Sequence, residues 1–158
     1  MDEMKLRQAK VAFATLCKAL DNIEWRYTKD EENLSIDCGA QGEDLPIEIV
    51  VKVDAKRLVV SLYSRLPCVV QEDKRVDVAI AICAINDALV DGCFDYDITT
   101  GRIFFRMTNS FMESVMSEEV FSYMLFCSCS TVDAYNDKLL MLAKDMLPLD
   151  KFLAIFND

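Results

Sequence analysis

The sequence predicts one α+β domain in which helices pack on an antiparallel sheet. Three long segments carry apolar residues at the alternating spacing of three and four that marks an amphipathic helix. Six short segments are β-branched or alternate apolar with polar residues, as strands do. The predicted order is α-β-β-β-β-α-β-β-α. Because short turns join the first four strands, they are expected to form an antiparallel meander.

The three helices are predicted over about residues 2–20, over 71–90, and for about 25 residues after Ser117, which can act as an N-cap. The second helix has one apolar stripe of Val78, Ile82, Ile85 and Leu89, and a neighbouring stripe of Val76, Ala79, Ile80 and Cys83. Because these stripes make a broad apolar face, we expect this helix to be enclosed between other elements. Gly92 is the candidate C-terminal cap.

The six strands are predicted over residues 23–28, 34–38, 47–53, 58–63, 94–98 and 103–107. The last two are joined by Thr99-Thr100-Gly101 and form the clearest hairpin of the chain. Alternation places Phe104 on the outer face of this hairpin, beside Arg102 and Arg106. Pro148 interrupts the pattern of the last long helix, and a short apolar helical tail is expected over 147–158. No linker or repeat divides the chain, so residues 1–158 are predicted to be one domain.

The charge of the chain argues against several classes of partner. There are 27 acidic and 17 basic residues, which give a net charge of −10. Nucleic acid and anionic membranes would repel such a protein on average, whereas basic segments of proteins would be attracted. No apolar stretch is long enough to span a bilayer. The N-terminus lacks the basic and apolar regions of a signal peptide, so we expect a cytoplasmic protein.

The cysteine pattern predicts reduced thiols. Seven cysteines are present, no two of them form a CxxC pair, and there is no histidine, so zinc sites with the usual ligand spacing are excluded. Several fall at apolar positions, so we expect mostly buried thiols in a reducing compartment. The seven are Cys17, Cys38, Cys68, Cys83, Cys93, Cys127 and Cys129.

No motif for catalysis is present. The chain lacks histidine and has only four glycines, and it contains no phosphate-binding loop or nucleophile elbow. Asp95 and Asp97 share a strand face and could bind a cation, but the solvated face of a half-exposed strand is the favoured explanation, because alternation alone predicts it. Cys68, the thiol most expected to be exposed, lacks a neighbouring base. We therefore predict no catalytic, cofactor-binding or metal-binding residues. A small-molecule sensor or enzyme that uses carboxylates or a thiol in a pocket remains an alternative.

Three groups of apolar residues suit a binding surface. Phe104 is the first, the segment between the last strand and the last helix is the second, and the tail with Met146 and Phe152 is the third. Methionines and aromatic residues suit adaptable binding surfaces, although ordinary core packing would explain the same residues. The predicted protein-binding or dimer surface comprises Phe104, Arg102, Arg106, Phe111, Met112 and Met116.

A run of short motifs resembles the YbjN family, bacterial proteins described as sensory transduction regulators. The motifs are Ala84-Ile85-Asn86-Asp87, then Gly92 to Asp97, then Gly101 to Arg106, and then Ser117 at the start of a long helix. The resemblance covers roughly residues 5–146. The order of elements is similar to the fold that this family shares with type III secretion chaperones. The tail from Leu147 to Phe156 extends beyond the pattern.

The resemblance implies a fold with helices on one face of an antiparallel sheet and a homodimer formed through the central helix and the later strands. Some members of that fold hold an unfolded segment of a client protein. No catalytic residue and no cofactor carries over. The favoured function is therefore a non-enzymatic protein-binding module, chaperone-like or regulatory. A structural subunit of a larger assembly is a further alternative.

Overall fold

The computed structural model describes residues 3–156 and confirms the predicted order of elements. The helices are α1 (Glu3–Asn22), α2 (Arg75–Ala88), α3 (Glu118–Ala143) and α4 (Leu149–Leu153). The strands are β1 (Tyr27–Asp30), β2 (Ser35–Gln41), β3 (Pro46–Asp54), β4 (Val59–Val69), β5 (Cys93–Asp97) and β6 (Arg102–Ser110). Single 3-10 turns lie at Glu72–Lys74 and Ala154–Phe156. Residue 2, where the first helix was predicted to begin, and the last two residues of the tail lie outside the described residues.

The six strands form one antiparallel sheet in the order β1-β2-β3-β4-β6-β5. Alternate residues of β3, β4 and β6, such as Ile49, Leu62 and Phe105, are buried on one face. Helices α1 and α3 contact the strands there. Because strand side chains alternate, the residues between them lie on the opposite face, which we call the open face. The fold is therefore α+β, with its core between the sheet and the helices.

The predicted first strand begins too early. Residues 23–26 form a turn that leaves α1, and β1 begins only at Tyr27. Glu24 has a φ of 54°, and the Trp25 N–H donates to the Leu20 carbonyl at 2.9 Å. The alternation of Ile23, Trp25 and Tyr27 therefore arises from a helix-terminating turn followed by a strand. The backbone bond from Trp25 to α1 favours this turn over a longer strand.

The second helix is shorter and more exposed than predicted. It ends at Ala88, and Leu89 is already extended. Gly92 lies in the following loop with a φ of 73° and does not cap the helix. A Cβ at this position would come within 2.4 Å of the Phe105 ring. The helix buries Val78, Ala81, Ile82 and Ile85, so the expectation that it is enclosed on both apolar stripes is wrong.

The third helix and the tail follow the sequence closely. The Ser117 side chain accepts a hydrogen bond from the Val120 N–H at 3.2 Å, as expected of an N-cap. Phe152 of α4 is fully buried, and the ring of Phe156 stacks on Tyr135 with centroids 6.2 Å apart. The described part of the tail therefore packs on its own domain. Within residues 3–156, no helix has both the length and the apolar character needed to cross a bilayer.

All seven thiols are free, but their burial differs from the prediction. Cys17 is buried, Cys83 is exposed and the other five are half-buried. The exposed thiol is thus Cys83 rather than Cys68, because Cys83 lies on the outward side of α2. The expectation that most of the cysteines are core residues holds fully only for Cys17.

Candidate functional site

The hairpin residues lie where alternation placed them. Phe104 is on the open face of β6, opposite Arg65 of β4 and Asp95 of β5. Arg102 and Arg106 flank it on the same strand face. Phe104 and Arg106 are half-buried and Arg102 is exposed. These side chains therefore form a continuous surface on the side of the sheet away from the helices.

Apolar side chains cluster at the centre of the open face. Val50 of β3 is paired in register with Tyr63 of β4, and Tyr63 is paired with Arg106 of β6. Val50, Tyr63 and Phe104 are each half-buried, although no described element covers this face. Cross-strand contacts among neighbouring large side chains account for this partial burial. An apolar centre with charged neighbours is typical of protein interaction surfaces.

The two strand carboxylates already have structural partners. Arg106 donates to Asp95 through Nε at 2.6 Å and through Nη2 at 3.1 Å. This bidentate contact holds the pKa of the Asp95 carboxyl below its ordinary value. Asp97 accepts hydrogen bonds from the Thr100 hydroxyl at 2.6 Å and from the Thr100 and Thr99 backbone N–H groups, and these bonds lower its pKa as well. Both carboxylates therefore stabilise the hairpin.

Two residues of the predicted surface belong to the core. Phe111 is 2% exposed and Met116 is 3% exposed, so the expectation that they lie on the surface is wrong. The Phe111 N–H donates to the Leu58 carbonyl at 2.9 Å, which holds this segment against the sheet. Met112 and Val115 point outward, with 59% and 80% of their surfaces exposed.

A row of apolar side chains on α2 faces solvent. Val76 and Ile80 are 63% and 44% exposed, and Cys83 is also exposed. Their spacing of four and three puts them on one side of the helix. We call these three residues the α2 stripe. The periodicity predicts this stripe, but the expectation that it lies in the core is wrong, because periodicity does not show which side of a helix is buried.

A second exposed apolar surface lies between the β2–β3 hairpin and α3. It surrounds a cavity of about 620 Å³ lined by Ala40, Ile47, Tyr123, Phe126, Cys127 and Asp133, among others. Tyr123 and Phe126 are about half exposed, and Phe126 meets Trp25 edge to face at 6.0 Å. We call this the aromatic groove. The sequence did not predict this groove, although Val120, Tyr123 and Cys127 recur at helical spacing beside the buried stripe of α3.

An unpaired strand edge lies beside this groove. Residues 39–41 of β2 pair with β3. On the other side, β1 pairs only with residues 35–38 of β2. A free edge presents backbone donors and acceptors to an extended segment of another chain. The groove and the edge together can therefore provide both main-chain hydrogen bonds and apolar contact.

Two half-buried thiols of this region, those of Cys38 and Cys129, are poor nucleophiles. Burial raises the pKa of Cys38 to about 12 and that of Cys129 to about 11, so both are protonated at neutral pH. Within the described residues, no group of three or more carboxylates and thiols is arranged to hold a metal ion.

Comparison with known proteins finds the same architecture in solved structures, of which three are described here. YbjN of E. coli, described as a proposed transcription regulator, is 13% identical over 84% of this chain and 92% of that chain, with a TM-score of 0.60. A chain of the ExsC–ExsE complex is 15% identical over 80% of this chain and 92% of that chain, with a TM-score of 0.58. A chain of the HopA1–SchA chaperone–effector complex is 12% identical over 87% of this chain and 98% of that chain, with a TM-score of 0.56.

The chain has a YbjN-like, secretion-chaperone-like fold. No protein-family model matches it, and no curated protein matches its sequence. At identities of 12–15% the structural likeness concerns the fold. The function depends on the surfaces of this molecule, because one fold can serve many functions.

Proposed function

We propose that the chain is a non-enzymatic protein-binding module, chaperone-like or regulatory, that works as a homodimer. The observation that carries this proposal is the α2 stripe: three apolar side chains in a row that no described element covers. A helix that exposes a continuous apolar row favours contact with another protein surface. Two of the similar solved structures are complexes, and one is a chaperone–effector complex, which supports a protein partner.

The α2 stripe suits a two-fold interface. Two copies of α2 packed antiparallel would bring Ile80, near the middle of the stripe, close to the symmetry axis, with Val76 and Cys83 on either side. The three residues of the stripe are uncharged, so their own burial leaves no unpaired ion. The seven free thiols fit a reducing compartment, which supports a cytoplasmic location.

The aromatic groove is the proposed site for a partner segment. Tyr123 and Phe126 supply exposed aromatic surface, and residues 39–41 of β2 supply the free strand edge. An extended segment paired with that edge would place alternate side chains toward the groove. The open face around Phe104, together with Arg102, Arg106 and Met112, is a further surface for a partner.

Light scattering on a size-exclusion column tests the homodimer. We expect the unmodified protein to have twice the mass of its chain at micromolar concentration, and Ile80→Glu to have the mass of one chain, because a charge in the stripe would be buried without a partner. Val115→Glu is the matched control, since Val115 is exposed in a loop. A monomeric unmodified protein, or a dimer that survives Ile80→Glu, contradicts the proposal.

The same measurement separates α2 from the open face. If the stripe forms the interface, Phe104→Asp leaves the dimer mass unchanged, because Phe104 lies on the other side of the sheet from the helices. A variant Phe104→Asp that elutes as a folded monomer would place the interface on the open face and overturn the assignment to α2. Circular dichroism of each variant establishes that it is folded.

A further inference from the structure

Strand β5 lies at one edge of the sheet, where a further strand could add. The order β1-β2-β3-β4-β6-β5 leaves one side of β5 without a neighbouring strand. In an antiparallel pair, successive residues direct their N–H and C=O groups to opposite sides. The Phe94 N–H donates to Asn86 of α2 and not to β6, so Phe94 and Tyr96 are the residues of β5 that face the outer side. A further strand would have to pair with these two residues.

Asn86 bonds to both backbone groups of Phe94. Its Oδ1 accepts from the Phe94 N–H at 2.8 Å, and its Nδ2 donates to the Phe94 carbonyl at 3.0 Å. An asparagine amide carries an acceptor and a donor side by side, as the backbone of one residue does. It therefore makes the two hydrogen bonds that a residue of a neighbouring strand would make. Phe94 is thus bonded as it would be in the interior of a sheet, although its strand lies at the edge.

The end of α2 and the loop after it bring these two residues together. Asparagine is a poor helix former, because its side chain competes for nearby backbone groups, and Asn86 lies in the last turn of the helix. The helix ends at Ala88, and Leu89 is extended. Gly92, with a φ of 73°, then lets the chain turn back. Phe94 therefore comes to lie beside the last turn of α2, within reach of the Asn86 amide.

The two sides of the sheet differ in what they offer to another chain. With Phe94 bonded to Asn86, only Tyr96 of β5 still faces outward, and one residue is shorter than the three to ten residues of ordinary strands. On the other side, residues 39–41 of β2 form a free edge beside the aromatic groove. A side chain or helix that covers an edge is a common means of preventing unwanted strand pairing. Asn86 covers the β5 edge in this way.

We propose that Asn86 is a specificity-determining residue that closes the β5 edge to a second copy of this chain. The inference rests on the proposed function and states which contact the two copies do not make. The α2 stripe provides one self-complementary surface, and pairing of β5 with its copy would provide a second. Two such surfaces on one chain can link dimers into open chains. With β5 closed, assembly stops at two copies, and a partner strand is confined to the other side of the sheet.

The test combines amide hydrogen exchange, followed by NMR on the isotope-labelled full chain, with light scattering. In the unmodified protein we expect slow exchange at Phe94 and fast exchange at Tyr96, because only the Phe94 N–H is hydrogen-bonded. Asn86→Ala should exchange Phe94 about tenfold faster, because the protecting bond is lost. Its mass should rise above that of the unmodified protein as concentration rises. The control Asn33→Ala also removes a side-chain bond, to Asp30 at 2.7 Å in an exposed turn, and should leave the mass unchanged.

Two outcomes overturn the inference. One is slow exchange at Tyr96 that becomes fast in Ile80→Glu, because the two copies would then pair through β5. The other is a folded Asn86→Ala that exchanges Phe94 faster and keeps the mass of the unmodified protein. Asn86→Ser, whose hydroxyl is too short to make both bonds, gives the same comparison if Asn86→Ala does not fold, and the exchange pattern of the unmodified protein needs no variant. A monomeric unmodified protein contradicts only the homodimer, because larger species of Asn86→Ala would still support the closed edge.

Discussion

At the scale of single residues, the ion pair between Asp95 and Arg106 fixes the charged part of the open face. Its two hydrogen bonds join β5 to β6 beside Phe104. Both side chains are more than a third exposed, so the pair is worth no more than about 1 kcal/mol of stability. Its main effect is to orient Arg106 and to keep the Asp95 carboxyl ionised.

Replacing Arg106 by Gln should lower the free energy of unfolding at pH 7 by about 0.5–1 kcal/mol. Because Arg106 lowers the pKa of Asp95 in the folded state, the stabilisation is present above the unfolded pKa, near 3.9. It is lost as pH falls through the lower folded value. Urea unfolding of both proteins at neutral and acidic pH measures this. A difference that persists undiminished well below the folded pKa of Asp95 would rule out the pair as its source.

Gly92 is required by its backbone and by its neighbour. Its φ is 73°, and an added Cβ would lie 2.4 Å from the Phe105 ring. Gly92→Ala should therefore lower the free energy of unfolding by about 2 kcal/mol. Val90→Ala is the control from the same loop, since Val90 is 97% exposed. Thermal unfolding compares the two, and equal midpoints would contradict the steric argument.

At the scale of elements, periodicity predicted which segments form helices and strands, but it did not predict which side of a helix is buried. The order of helices and strands, the N-cap Ser117 and the outward position of Phe104 all follow from local spacing. The exposure of Ile80 does not follow from local spacing, because two apolar stripes on one helix are equivalent until packing in the folded protein buries one of them. The early end of α2 and the turn at Glu24 depend on backbone bonds that composition does not encode.

The tail should behave as part of the domain. Phe152 is fully buried, whereas Ile155 is 45% exposed three residues later. Phe152→Ala should cost about 3–5 kcal/mol of stability, because it removes a large side chain from the core. Ile155→Ala is expected to cost less than about 1 kcal/mol. Chemical denaturation measures both, and a small loss for Phe152→Ala would mean that the tail does not contribute to the fold.

At the scale of the whole molecule, the candidate surfaces come from residues distant in sequence. The rings of Trp25 and Phe126 are in contact although the two residues lie about a hundred positions apart in the sequence. The free edge of β2 exists only because β1 is short. Such contacts leave no local pattern, so the sequence could not predict the aromatic groove. For the same reason the sequence did not predict that Phe111 and Met116 are buried.

The surfaces also divide the molecule by chemistry. The α2 stripe is apolar and uncharged, and the aromatic groove lies beside an unpaired strand edge. An acidic chain with these separate faces can hold a second copy of itself and a partner at the same time. This arrangement is what the proposed protein-binding module requires.

Cross-linking through Cys83 tests the central claim most directly. This thiol is exposed at one end of the α2 stripe, and packing two stripes together at a helix separation of about 8–10 Å brings the two Cys83 thiols within reach of a short bis-maleimide. We predict a covalent dimer of the unmodified protein that is lost in Cys83→Ser and in Ile80→Glu, and kept in the control Cys68→Ser. The absence of a covalent dimer, or an equal yield from Cys83→Ser, would contradict a homodimer formed through α2.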